Sequence, residues 1–363
     1  MKKKIFLITT ITLLFSFQIF ADESPFVRYP ALNSDASQIA FSFQGDIWSV
    51  PVSGGSAIRL TLHEGYDGYP YWSKDDKQIA FSSKRYGNYD IFLMPANGGL
   101  PKRLTFHSAN DLITDFTNTG EILFSTARLF RQVEWDSEIS SINTDGGTPE
   151  RVLDAVGNMA VKSPNGKLIA FTKGWGRIDR EKYTGSADNE IWIYNTDTKS
   201  FIQITNNEVH DMMPRWADDN TIYFISARSG KYNIYKVSIT DDGNTKNDVQ
   251  PITKFDDYGP REFNISGDAS TLVMTRGTDI YTLKLNGGEP QKVTIDISTD
   301  YRFDPVISKT LSKIDEYSVS PKGNYSTLVS RGEIFITEND KKKSLTFNLS
   351  KNSYRDGNVA WVN

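Results

Sequence analysis

The sequence has no cysteine and only three histidines, His63, His107 and His210, among 363 residues. Without thiols there can be no disulfide, thiolate metal site, cysteine nucleophile or thiol redox chemistry. A metal centre needs at least three converging ligands with a supporting shell, and three histidines scattered over separate loops do not promise one. Local hydrogen bonding is the expected role of all three, and no metal or cofactor is expected. Charge of one sign is also scarce: 41 Lys and Arg against 45 Asp and Glu give a net charge of -4. That balance carries no basic footprint for nucleic acid. The chain lacks a P-loop, a G-x-S-x-G and an H-E-x-x-H, and no serine has a nearby histidine with a reason to act as its base. Taken alone, the sequence reads as non-catalytic.

Long apolar runs are absent except at the start. Lys2, Lys3 and Lys4 precede IFLITTITLLFSFQIF, and Ala21 then meets Asp22. A basic start, an apolar stretch and a small residue at the cut read as an export signal over residues 1–21. A membrane anchor is the other reading, because the run is nearly long enough to span. The abrupt change to acidic chain after Ala21 favours cleavage. The mature chain would then carry a charge of about -7, without stable membrane insertion, in the bacterial periplasm.

What the chain has in plenty is short strands separated by Gly, Asn, Asp and Pro clusters, which are hairpin signals. Residues 69–105 contain four: PYW, QIAFSS, YDIFLMP and KRLT. The same pattern fills residues 29–61, 113–153, 159–205, 213–253 and 260–294, and returns at 316–346. The closing threonines set the period: Thr61 and Thr105 are 44 residues apart, Thr205 and Thr253 are 48, and Thr253 and Thr294 are 41. Periods of this length with four strands each point to β-propeller blades. The first turn of each unit repeats as NSDAS, SKDDK, SPNGK, SGDAS and SPKGN, and the third as paired glycines such as Gly98 and Gly99.

The expected fold is all-β: a six-bladed β-propeller of four-stranded antiparallel blades over residues 22–294. A spacer at 295–315 and the first blade of a second propeller at 316–363 follow, with VAWVN from Val359 resembling the first strand of a further blade. A single seven-bladed ring is the rival arrangement. All four strands of each blade lie within one repeat, so the first ring is expected to close by packing blade 6 on blade 1.

Two groups of residues are candidates for contact with a ligand. Asp67, Asp211 and Asp257 begin D-x-x-P motifs just before an inner strand, and Asp111 begins the same motif without its proline. They could form an acidic rim at one channel mouth, or each could fix the local turn by accepting backbone N–H bonds. The second group lies in the Gly- and charge-rich insertion at 173–189, where Trp175, Arg177, Arg180 and Tyr183 could touch a ligand or partner domain. A second insertion at 127–136 offers Leu129, Phe130 and Trp135 as a packing foot. Trp48, Trp72, Trp192 and Trp216 fall on strands and are expected in the packing between blades.

The pair YPALNSDASQIAFSFQGDIWSVPVSGGSAIRLT and YPYWSKDDKQIAFSSKRYGNYDIFLMPANGGLPKRLTFHS resembles the N-terminal propeller of tricorn-type proteases, the tricorn-like peptidases of the S41 family. DNEIWIYNTDTKSFIQIT, YFISARSGKYNIYKVSI and DIYTLKLNGGEP extend the resemblance across residues 25–363. It implies a substrate-gating or recognition propeller in a homo-oligomeric serine peptidase that degrades peptides. The catalytic core would lie C-terminal to residue 363, so the partners would be peptide substrates and the protein's own later domains. The export signal departs from the cytoplasmic setting of the family's best-known members. Single blades of this kind are shared with TolB-like exported binding propellers and with the propellers of prolyl-oligopeptidase-like and amidohydrolase enzymes, which are the alternatives.

Overall fold

A computed structural model describes residues 25–129, 137–298 and 313–362, apart from residues 341, 343, 351 and 353. The proposed signal and the centre of the spacer lie outside the described residues, as do Phe130 and Trp135. The chain divides into two compact units, residues 1–297 and 298–363.

The first unit holds six four-stranded antiparallel sheets in chain order. The second sheet is typical: Asp67–Trp72, Gln78–Ser83, Asp90–Pro95 and Lys102–Arg103 pair in sequence. Its second strand reads QIAFSS, with Ile79 and Phe81 fully buried. Phe41, Phe124, Phe171 and Phe224 are sealed at the same position of other sheets, and Met274 takes that place in the sixth. Each third strand opens with a polar residue followed by a buried isoleucine: Ile47, Ile91, Ile139, Ile191, Ile234 and Ile280. Burying one such side chain stabilises the fold by roughly 1.5–3 kcal/mol.

The recurring threonine has a structural reason. The hydroxyls of Thr61, Thr105, Thr205 and Thr253 each accept the backbone N–H of that isoleucine at 2.9 Å, tying the outer edge of a sheet to its third strand. Thr253 also donates to Asn233 Oδ1 at 2.8 Å. Because this N–H is buried, Thr253→Val should leave it unsatisfied and cost about 1–3 kcal/mol in urea denaturation. An unchanged midpoint would contradict that role.

Apolar clusters fill the space between successive sheets. Ile79, Phe81 and Met94 pack with Ala40 and Ile47 between the first and second sheets. Val273, Ile280 and Val293 of the sixth sheet pack with Phe41, Trp48 and Val50 of the first. Trp72 donates its indole N–H to Ala31 O at 3.1 Å in the preceding sheet, and Trp216 donates to Val161 O at 3.1 Å. The seam between the sixth sheet and the first has an extra fastening that the sequence did not suggest. Ile295–Asp296, at the start of the spacer, pairs in parallel with Gly55–Ser56.

The second unit contains one sheet of the same kind, Glu316–Val319, Tyr325–Ser330, Glu333–Glu338 and Thr346–Asn348. After it, Asn358 has φ 56° and donates its N–H to Glu316 at 2.8 Å, while Trp361 donates to Ser318 O at 3.3 Å. Tyr69 and Trp72 have the same three-residue offset, positive φ and indole bond in the first unit. The VAWVN segment is not paired as a strand, yet it makes the bond by which one blade grips its predecessor.

Candidate functional site

The first strands of the six sheets all contribute residues to one cavity, and a local irregularity controls what they present there. In four of them the register slips across a four-residue step near the strand's start, at Arg28/Ala31, Gly68/Tyr71, Asn158/Val161 and Met212/Arg215. Each slip contains a non-glycine residue at positive φ: Tyr29, Tyr69, Met159 and Met213, between 54° and 58°. Such conformations are uncommon for L-residues, and bulges of this kind re-aim side chains. All four line one axial cavity.

That cavity has a volume of about 320 Å³, within the range of ordinary ligand pockets. Tyr29 and Tyr69 stack in its wall with ring centroids 3.8 Å apart, and Pro70, Ile113, Met159, Met213 and Phe263 make the rest largely apolar. Burial, reinforced by the neighbouring Tyr29 hydroxyl, pushes the Tyr69 phenol far above its ordinary range, and burial pushes Tyr66 up to about 12. Glu262 is the carboxylate in the wall. It accepts the Tyr29 N–H at 2.7 Å and lies 3.6 Å from Arg28, while burial raises its pKa.

A second axial chamber of about 350 Å³ lies at the end where the first strands run into their turns, lined by Asn33, Ser73, Lys74, Asp115, Lys162 and Asp218 among others. Tyr71 and Arg215 belong to the walls of both chambers. The Arg215 guanidinium donates from Nη2 to the Tyr71 hydroxyl at 2.6 Å, linking the second sheet to the fifth. Asp115 stands nearby, accepting the Lys162 N–H at 2.8 Å, with burial lifting its pKa to about 6 against the pull of that bond and of Arg215.

The candidate aspartates are placed differently from a ligand-gripping rim. Asp67, Asp111 and Asp211 are fully buried, and each faces an arginine just beyond the second strand of its own sheet. The pairs are Asp67–Arg85 at 2.7 Å, Asp111–Arg128 at 2.5 Å and Asp211–Arg228 at 2.7 Å. Only Asp257 is substantially exposed, and it too pairs with an arginine, Arg276, at 2.5 Å, whose hydrogen bond lowers its pKa. These carboxylates fasten the start of the first strand to the end of the second. The partner arginines follow their aspartates by 17–19 residues, a recurrent spacing that the sequence carries.

The insertion at 173–189 splits into two halves. Trp175 and Arg177 line a pocket of about 420 Å³ that shares Asn158, Met159 and Met213 with the apolar axial cavity. Trp175 is two-thirds exposed there. Tyr183 instead packs inward, stacking on buried His210, and Arg180 stays exposed with its guanidinium 4.1 Å from the Tyr183 ring. Glu181 accepts the Tyr232 N–H at 2.7 Å, and Arg261 donates to Ile178 O, so the insertion is stitched across the fourth, fifth and sixth sheets. His210 Nδ1 accepts the Asn189 N–H at 3.1 Å, and His63 and His107 each accept a local N–H at 2.9 Å.

Three buried carboxyls give the unit a pH signature. Burial raises Asp90 and Asp115 to about 6 and Glu190 to about 7. A folded pKa above the unfolded value means the folded state binds the proton more tightly. The resulting stability is full below the unfolded pKa and is lost as pH rises through about 6–7. The melting temperature should therefore be a few degrees higher near pH 5 than near pH 8, and Asp115→Asn should flatten part of that slope. A melting temperature that rises between those values would contradict the assignment.

These features define an all-β protein of repeated blades whose first strands surround an axial cavity. Residues 24–289 match the profile of the tricorn protease N-terminal beta propeller domain, and the chain belongs to that family, as its sequence resemblance implied. The "Tricorn protease homolog 1" of Streptomyces coelicolor is 27% identical over 284 residues, covering 74% of this chain and 25% of that protein. A "Putative Tricorn-like protease N-terminal subunit" of Sulfurisphaera tokodaii is 30% identical over 162 residues, 43% of this chain and 80% of the relative. The crystal structure of the tricorn protease aligns with a TM-score of 0.64 at 19% identity, over 89% of this chain and 31% of that one. The chain thus spans about a quarter of the length of the Streptomyces relative.

Proposed function

We propose that residues 25–297 form a six-bladed β-propeller that recognises peptides for a tricorn-like serine peptidase, without performing the cleavage itself. The observation that carries this reading is the apolar axial cavity. Bulged first strands supply its tyrosines and methionines, and Trp175 stands at its flank. Packing of the sixth sheet on the first, with the parallel pair at Ile295–Asp296, supports closure of the ring.

Cleavage of a peptide by acyl transfer needs an activated nucleophile and an oxyanion hole. Among the described residues the cavity wall offers tyrosines, methionines, prolines and a glutamate already paired with Arg28, but no serine–histidine pair. In this reading the nucleophile belongs to a later domain of a longer, homo-oligomeric protein, residues 1–21 direct export to the periplasm, and the sheet at 316–348 opens a second propeller. The TolB-like alternative shares the propeller and differs in lacking any attached peptidase. Incubating the full chain with fluorogenic peptides should give saturable binding and no turnover. Turnover abolished by a single change in the axial cavity would overturn the non-catalytic reading.

A further inference from the structure

The axial crossing at Arg215 is chemically incomplete. Its guanidinium gives Nη2 to the Tyr71 hydroxyl and Nη1 to Pro214 O at 2.9 Å, while Nε is buried with no hydrogen-bond partner. A buried donor without a partner costs about 1–3 kcal/mol and marks a position a ligand can satisfy. Among the described residues no carboxylate lies within ion-pair distance of Arg215, although several other arginines of the first unit have one: Arg28 has Glu262, Arg85 has Asp67, Arg128 has Asp111 and Arg228 has Asp211. Asp115 feels the Arg215 charge, and that carboxyl already accepts the Lys162 N–H.

Arg215 is the cation in the wall of the apolar cavity, which also carries the Glu262 carboxylate already paired with Arg28. The cavity's other polar orphan is Asn158 Oδ1, a buried acceptor without a partner on the neighbouring fourth sheet. A ligand matching these features has an apolar body for the Tyr29, Tyr69, Met159 and Met213 wall and an anionic planar group for Arg215. A donor positioned for Asn158 would complete the match.

We propose that the apolar axial cavity is a pocket for a small apolar carboxylate, in its natural form the last residue of a peptide, which engages Arg215 through Nε and Nη2. This rests on the peptide-recognition reading and adds a ligand chemistry to it. A side-on, two-point contact is the favoured geometry between a carboxylate and a guanidinium. Because Nη2 is held by Tyr71, the carboxylate must displace that hydroxyl, and its arrival breaks the link across the axis. The Tyr71 phenol, whose pKa burial raises, stays neutral throughout and is a weaker partner for Arg215 than an anion. Binding and opening of the crossing are thereby the same event.

Calorimetric titration of the full chain with N-acetylphenylalanine, its amide and N-acetylglycine tests this. The carboxylate of the aromatic compound should bind at least tenfold more tightly than either the amide or the glycine derivative. Arg215→Met should remove that preference. Tyr71→Phe keeps the ring but frees Nη2, so it should tighten the carboxylate several-fold and leave the amide unchanged. The ligand comparison needs no variant, so misfolding of Arg215→Met cannot rescue the proposal. Equal binding of acid and amide would overturn the carboxylate role while leaving peptide recognition standing. Absence of binding by all three, with a longer peptide still bound, would overturn the pocket; failure of every peptide would remove the underlying reading as well.

Discussion

Arg228→Ala is expected to lower stability by about 3–5 kcal/mol, among the largest effects of any single change in the first unit. The reason is the Asp211 carboxylate, which has no solvent exposure and receives Arg228 Nη2 at 2.7 Å. Removing the guanidinium leaves a buried charge with only neutral donors around it, Asn207 at 2.6 Å and the hydroxyls of Ser226 and Thr205. Burial already raises the Asp211 pKa while Arg228 opposes that rise, so the truncated protein would take up a proton there. Urea denaturation should show the loss near neutral pH and a smaller loss in mild acid. The double change Asp211→Asn with Arg228→Met should recover much of it, since no unpaired charge remains. Arg276→Ala is the contrasting case: Asp257 is half exposed, water replaces the arginine, and the denaturation midpoint should hardly move. Equal losses at the two sites would mean that burial does not set the value of these pairs.

Gly54→Ala should be almost as damaging, by about 2–4 kcal/mol, through two causes that add. Gly54 has φ +83°, in the left-handed region that side chains resist, and a Cβ there would sit 2.4 Å from the Thr294 carbonyl oxygen. The oxygen is backbone and the Cβ is fixed rigidly to its own backbone, so neither yields cheaply. The same carbonyl accepts the Gly55 N–H at 2.9 Å and begins the parallel pairing with Ile295–Asp296. The substitution should therefore loosen the seam between the sixth sheet and the first. Hydrogen exchange should accelerate at Gly55 and Ala57, whose amides donate to Thr294 and Asp296, while the second-strand amides of the third sheet keep their protection. Uniform acceleration throughout the unit would show that the seam is not a separate element.

Much of this architecture could be read along the chain because it is local. The turn sequences SKDDK and SPNGK, the paired glycines and the Ile-x-Phe strands each specify a hairpin within a few residues. The closing threonines, first useful only as a ruler, prove to be hydrogen-bonding parts of the blade. The candidate site was less legible. Asp67, Asp111 and Asp211 recur in register, but recurrence alone does not reveal whether a carboxylate faces solvent or an arginine, and the structure turns them inward. Trp175 and Arg177 reach a pocket wall, whereas Tyr183 from the same insertion packs on His210 with Arg180 laid over its outer face. The Tyr71–Arg215 link joins residues 144 positions apart. No local pattern encodes it, because it exists only once sheets two and five face the same axis.

The account stands on peptide entering the axial cavity, and photo-cross-linking is the direct measurement. A short peptide carrying benzoylphenylalanine, irradiated with the full chain and mapped by mass spectrometry, should label Met159 and Met213 in the cavity wall. Excess unlabelled peptide should abolish both labels. Competable labelling confined to the outer surface, for example at exposed Leu100 or Phe106, would contradict it.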